Sequence, residues 1–541
     1  MKAFLATPLL AVLLQAQTPS TMAPPVRATH YMVAAANNFE VEAGYRILTQ
    51  GGNAVDAGVA SVLAASVTEL SRFGLGGEMP LLIKMSGQPT IAISGVGVAP
   101  AKATVEFYTH RTPEVWEERN SMPPEFGGML RSYQQIIALW PDSVKFFYPA
   151  GLPTPRGEIF REPTLAQTFR ELANAEKKAH GNRQAKLRAV RDVFYKGDIA
   201  QRIAAFSESH RGLIAYSDLA NYHAEIDQPK VGTYRGYEIY KPGFWTQGPV
   251  MIEALNLLEG YDLKAMGHNS PQYLHTVVEA VKLAFADRDA YYGDPKFSKI
   301  PEEILLSKEY AAERRKLIDP EHASIEHRPG NLGTHFSLPS TSASAATGIV
   351  NDTTCVNVVD GQGNAFSATP SGAWLPSVIA GDTGIPLTTR LQSFVMTPGH
   401  PNQLQPGKRP RVTLSPTLIT RDGKLEMILS TPGGDNQDQA LLQVVLNIIE
   451  FQMPAQEAVE APRFQTEHLF SSFGNHEFTP GRLNLEGRIP IATGDALRTL
   501  GHRVALAGDW SNASAPTVIW VHDGVLNGGA DPRRARFVFG R

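Results

Sequence analysis

The chain has 541 residues, 43% of them hydrophobic and 19% charged, which is the composition of an ordinary globular protein of one large domain or a few smaller ones. Its formal net charge of −3 argues against nucleic acid as the main partner. Beyond the N-terminus there is no run of roughly 18 apolar residues to cross a bilayer, and the single Cys355 excludes a disulfide within the chain.

Residues 1–16 read as a signal peptide. Lys2 is a minimal positive start, residues 3–14 are an apolar stretch of fitting length, and Ala16 suits cleavage although Leu14 is large for its position. The protein is therefore expected to be exported, periplasmic or extracellular. Residues 36–66 show helical periodicity, with Val41, Tyr45, Ile47 and Leu48 on one face, a break at Gly51-Gly52-Asn53 and a restart at Ala54. Gly74-Leu75-Gly76-Gly77 leads into a strand at Leu81-Leu82-Ile83 and lacks the Gly-Lys-Ser/Thr ending of a phosphate loop. Helices are predicted over 164–222, 248–258 and 270–292. Strands are predicted near 236–240, 354–369, 416–420, 424–429, 515–521 and 525–528. Residues 326–346 are polar and rich in Gly, Ser, Thr and Pro, as in an exposed, weakly ordered connection. Mixed helices and hairpins of this kind give an α+β layered sandwich.

Thr353 follows that connection and opens a hairpin whose turn is Asp360-Gly361-Gln362-Gly363-Asn364. If the bond after Asp352 is cut, Thr353 becomes a new N-terminus. Its freed amine can then act as base for its own hydroxyl. By pattern alone a threonine at a strand start is common. Cys355 reads as a buried strand residue and not as a second nucleophile.

Several stretches together resemble the γ-glutamyltransferase family of N-terminal-nucleophile (Ntn) hydrolases. They are residues 50–57, with Gly51-Gly52-Asn53 and Asp56; 99–104, with Ala99-Pro100-Ala101-Lys102; 232–237; and 279–288, ending in Asp287-Arg288. Arg409-Pro410, Ser415-Pro416-Thr417, Pro432-Gly433-Gly434 and Asp531-Pro532-Arg533 complete the series. The resemblance runs from about residue 30 to the C-terminus. It implies a four-layer αββα sandwich made as one precursor that cuts itself between Asp352 and Thr353. Residues 17–352 would form the large subunit and 353–541 the small one, held together as a heterodimer around one core. No cofactor, metal or membrane span is implied, and the substrate is a small-molecule amide.

The resemblance places the nucleophile at Thr353, its hydroxyl partner at Ser371 where the family normally has Thr, a further hydroxyl at Thr369, and the oxyanion hole at Gly433-Gly434. Gly433-Gly434 precedes a helical stretch at about 437–451, with Asp435 as an ordinary N-cap candidate. Family members grip a glutamyl α-carboxylate with an Arg and a Ser-Ser pair. Here these positions carry Val96 and Val412-Thr413. The family's α-amine partners fall on Ala373, Arg390 and Ser393. An acyl specificity other than γ-glutamyl is therefore expected, with Arg390 a candidate for a substrate carboxylate. Two alternatives stay open: a γ-glutamyltransferase with a rebuilt pocket, for instance with Glu78 towards the amine, and an uncut, non-catalytic relative. His275 and Glu279, four apart on a helix with no third ligand evident, read as a solvated or subunit-facing pair. Asp531-Pro532-Arg533-Arg534 reads as a structural turn.

Overall fold

A computed structural model describes residues 21–109, 126–155, 158–333 and 353–541. The expected signal peptide, Asp352 and most of the polar connection lie outside these residues. Its described part, 326–333, is anchored and not weakly ordered. Arg328 donates to Glu279 at 3.0 Å, and the Gly330 N–H to Asp287 at 2.6 Å.

Two seven-stranded sheets form the centre. In the first, strands run in the order Val26–Ala28, Val525–Ala530, Thr517–His522, Lys424–Ser430, Thr417–Arg421, Tyr237–Lys241 and Lys230–Tyr234. In the second the order is Phe537–Gly540, Met32–Ala35, Val356–Val359, Ala365–Ala368, Leu81–Lys84, Ile91–Ile93 and Ile226–Asp227. All pairings in both sheets are antiparallel.

Alternation along the strands explains the layers, because successive side chains point to opposite faces. Leu418 and Ile428 face the other sheet and pack with Met32, Ala34, Leu82 and Val359. Their neighbours Ile419, Met427 and Leu429 face outward and pack under the helices Pro249–Leu258, Pro271–Tyr291 and Gln437–Ile449. On the other side Val33, Ile83, Val356, Val358 and Phe366 pack under the helices Asn38–Thr49 and Ala54–Thr68. Each fully buried aliphatic side chain stabilises this core by about 1.5–3 kcal/mol. The break between the last two helices lies where the sequence places it. The Asn53 side chain accepts from the N–H groups of Val55 and Asp56, which starts the second helix. The result is helices, sheet, sheet, helices: the expected αββα sandwich.

Candidate active site

The hairpin register builds the centre of the site. Val356 pairs with Ala368, and the same register carried three residues further sets Thr353 opposite Ser371. On the other side Leu81 pairs with Ala368, and the same extension sets Glu78 opposite Ser371. Thr353, Ser371 and Glu78 thus share one row across three neighbouring chain segments. All three are buried. The Thr353 and Ser371 hydroxyls share a hydrogen bond at 3.1 Å, and the Trp374 indole N–H donates to the Ser371 oxygen at 3.1 Å. Thr369 is buried beside them, but its hydroxyl has no hydrogen-bond partner among the described residues; its N–H donates to Pro80.

Gly433-Gly434 leaves the strand Lys424–Ser430 and enters the helix Gln437–Ile449 through a short 3-10 turn. Gly433 has φ +125° and Gly434 φ +56°, backbone that a side chain strongly disfavours at the first position and strains at the second. A Cβ on Gly433 would lie 2.2 Å from the Ser514 hydroxyl, and one on Gly434 3.0 Å from the Phe473 ring. Neither glycine N–H is used as a donor among the described residues. Two unused amides beside a helix start suit a developing oxyanion. Asp435 does not cap the helix, contrary to its expected role. Its carboxylate turns away to Arg288 and Ser472, because the chain is still in the 3-10 turn at this point.

The pocket residues come together in two groups. Val96 and Val412 pack with Trp245 and Leu414 into a closed apolar cluster. Thr413 beside them is buried, and its hydroxyl has no hydrogen-bond partner among the described residues. Ala373, Ser393 and Arg390 are buried as well. The Arg390 Nε donates to Glu78, whose other oxygen accepts from Thr388 at 3.0 Å. Both carboxylate oxygens of Glu78 are therefore engaged within the protein. The guanidinium carbon of Arg390 lies 4.3 Å from the centroid of Trp374 and 5.8 Å from that of Phe473. Its Nη1 and Nη2 are buried and have no hydrogen-bond partner among the described residues. Burial pushes the pKa of this guanidinium down, opposed by Glu78. Two unused donors on a buried guanidinium have the fork geometry that matches a carboxylate.

Sequence reasoning missed Trp374 and Phe473, and it named Asp435 and Arg288 without their link to each other. Trp374 has a signal of a kind, standing three residues after Ser371. Phe473 has none, since it arrives from a loop more than a hundred residues away. Of the two readings of His275 and Glu279, solvated or subunit-facing, the solvated one is corrected, and the contact with His502 of the 353–541 stretch fits the other. Both are buried, and His502 joins them, its Nε2 lying 2.9 Å from the His275 Nδ1. Glu279 takes Lys282 at 2.6 Å and Arg328 at 3.0 Å, so its charge is already met by two cations. Such a carboxylate is a poor metal ligand. At the C-terminal turn, Asp531 pairs with buried Arg463 and Arg533, as expected of a structural element.

The profile of the γ-glutamyltranspeptidase family matches residues 41–122 and 120–540. The chain is similar to the glutathione hydrolase proenzyme of Escherichia coli K12, with 31% identity covering 94% of this chain and 91% of that protein. It is equally similar to the acylase ACY 1 proenzyme of Pseudomonas sp. SE83, with 31% identity over 94% and 92% of the two chains. Among solved structures, the cephalosporin acylase of Bacillus halodurans superposes with a TM-score of 0.80 at 26% identity, covering 98% of this chain and 99% of that one.

Proposed function

The chain belongs to the γ-glutamyltranspeptidase family, and from that premise we propose a self-processing threonine amidohydrolase whose acyl pocket is not built for a γ-glutamyl group. The chain is an enzyme of the hydrolase and acyl-transfer type of that family. The observation that carries the finer reading is the buried Thr353–Ser371 hydroxyl pair at the head of a central hairpin.

In the proposed chemistry the Thr353 hydroxyl attacks the Asp352 carbonyl, and the peptide shifts from nitrogen to oxygen. That shift frees the Thr353 amine, and water then hydrolyses the ester, releasing the Thr353 hydroxyl and the main-chain carboxylate of Asp352. The mature Thr353 oxygen attacks a substrate amide carbonyl while its own amine takes the proton. Gly433 and Gly434 offer N–H groups to the oxyanion. The amine product leaves with the proton, and water or another amine resolves the acyl ester. Residues 17–352 and 353–541 are then two subunits of an exported enzyme.

Overall identity does not decide the acyl group, since a glutathione hydrolase and an acylase match equally well. The pocket does favour one side. A free α-carboxylate placed against the Val96–Val412 cluster would be buried with no cation and at most the Thr413 hydroxyl beside it, and a buried charge left unpaired costs about 3–5 kcal/mol. An α-ammonium would meet Arg390, while the free Nη1 and Nη2 of Arg390 suit an acyl group that ends in a carboxylate. The test is intact mass spectrometry of the purified protein, then turnover of glutaryl-p-nitroanilide against γ-glutamyl-p-nitroanilide. The expected result is a cut before Thr353 and a preference for the glutaryl amide. Fast turnover of the γ-glutamyl amide or of glutathione overturns the acyl assignment; an uncut yet active chain overturns the nucleophile.

A further inference from the structure

Asp435 follows directly on the two glycines, and its carboxylate reaches three groups. One oxygen accepts from the Arg288 Nη1 and, at 2.6 Å, from the Ser472 hydroxyl; the other accepts from the Ser472 N–H at 2.8 Å. Ser472 is thereby tied by both its backbone and its side chain. The next residue is Phe473, whose ring packs against Gly434 and lies edge-on to Trp374 with centroids 5.6 Å apart. Trp374 in turn holds the Ser371 hydroxyl and underlies Arg390.

Arg288 grips the same turn from its other side. It is fully buried, and its Nη1 also donates to the Gln247 Oε1 at 3.2 Å, while the Gln247 Nε2 donates to the Gly434 carbonyl at 3.3 Å. The remaining donors of Arg288 go to Asp289 and to the Phe470 carbonyl. The turn has its own bonds, from the Asn436 N–H to the Gly433 carbonyl at 3.0 Å and from the Thr431 hydroxyl to the Pro432 carbonyl at 2.9 Å. Side chains from outside add two further holds, at the Gly434 carbonyl and at the Asp435 side chain, and both end on Arg288.

We propose that Asp435 is a positioning residue that sets two things through one carboxylate: the aim of the Gly433-Gly434 amides and the place of the Phe473 wall beside Arg390. The proposal rests on Thr353 being the nucleophile and the glycine turn its oxyanion hole. Donors must meet the oxyanion at about 2.7–3.1 Å, and a misplacement of about 1 Å costs roughly a hundredfold in rate. A clamp on the turn therefore acts on kcat, and a clamp on the wall acts on acyl selectivity.

Asp435→Asn keeps the shape but removes the charge facing Arg288 and turns a donor towards either the Ser472 N–H or Arg288. Kinetics are normalised to the number of acylated Thr353 sites, counted by intact mass. The expected result is a kcat per site lowered about a hundredfold, together with a narrowed preference between glutaryl- and γ-glutamyl-p-nitroanilide. Ser472→Ala, which keeps the Arg288 pair, is expected to raise KM several-fold and leave kcat within about threefold. Gln247→Ala is expected to do the reverse. A merely structural role would lower the number of active sites and leave per-site constants native, and that outcome overturns the proposal. If Asp435→Asn yields no cut protein, Gln247→Ala and Ser472→Ala decide, and native per-site constants in both overturn it. Separately, a Thr353→Ala chain that is still cut and still turns over substrate sinks the nucleophile reading, whatever Asp435→Asn does.

Discussion

At Ser371 a single hydroxyl serves two neighbours, sharing a hydrogen bond with Thr353 and accepting one from Trp374. Ser371→Ala removes both contacts from a buried site, a loss of about 1–3 kcal/mol each. It is expected to slow self-cutting and turnover by roughly ten- to a hundredfold, measured as the rate of appearance of the 353–541 fragment and as kcat. Ser371→Thr keeps the oxygen and is expected to stay within a few-fold of native. Equal losses in the two variants would show that volume, and not the hydroxyl, matters here. A second residue-scale prediction concerns acid. His400 is buried, its Nδ1 accepting from the Asn402 N–H and its Nε2 lying 2.9 Å from the Asp289 carbonyl. Burial, with Arg411 adding to it, pushes its pKa down to about 4. The unfolded chain, titrating near 6.5, binds the proton first as pH falls. The neutral ring's contribution is thus full above about pH 6.5 and lost as pH drops towards 4, at most about 3 kcal/mol. Thermal melts of native and His400→Gln protein across that range are expected to show a shallower acid decline in the variant. Parallel declines would remove His400 as a cause.

The Gly433-Gly434 turn shows what an element can and cannot disclose beforehand. Gly433→Ala must hold a Cβ at φ +125° against the Ser514 hydroxyl at 2.2 Å, while Gly434→Ala sits at φ +56° and meets only the Phe473 ring at 3.0 Å. Strain of about 1–3 kcal/mol at the first position is expected to displace its amide. Gly433→Ala should therefore lose more kcat than Gly434→Ala, by about tenfold or more, with only a modest drop in melting temperature. The reverse order would mean that the Phe473 contact, and not the backbone, limits the turn. The turn and the helix after it were legible because local signals specify them: glycine pairs, periodicity and a proline ahead. The hairpin around Asp360 was legible for the same reason, and its register brought Thr353 to Ser371 across eighteen positions. Asp435 was misread as a cap because its partners, Arg288 and Ser472, approach from distant parts of the chain. The Glu78–Arg390 pair escaped for a similar reason, spanning 312 positions. Val96 and Val412 were different. Their contact was legible only through the family resemblance, and the cluster with Trp245 and Leu414 gives it a physical form.

At the scale of the molecule, the expected cut would fall inside one interleaved structure. In the first sheet, four strands from beyond residue 353 lie between Val26–Ala28 on one edge and Tyr237–Lys241 with Lys230–Tyr234 on the other. In the second, the hairpin of Val356–Val359 and Ala365–Ala368 is flanked by Met32–Ala35 and Leu81–Lys84, while Phe537–Gly540 caps the far edge. Separating residues 353–541 from the rest would break five ladder pairings at once, namely 26–28 with 525–530, 417–421 with 237–241, 537–540 with 32–35, 32–35 with 356–359, and 365–368 with 81–84. It would also expose the apolar layer between the sheets, to which both sides contribute. The buried surface that stabilises either piece is thus shared with the other. The cut protein is expected to elute as one species and to melt in a single transition, monitored by size exclusion and calorimetry. Residues 353–541 expressed alone should be insoluble or unfolded, with the strand edges of those five broken pairings open to aggregation. A soluble 353–541 fragment with a cooperative melt of its own would show instead that the small piece carries an independent core.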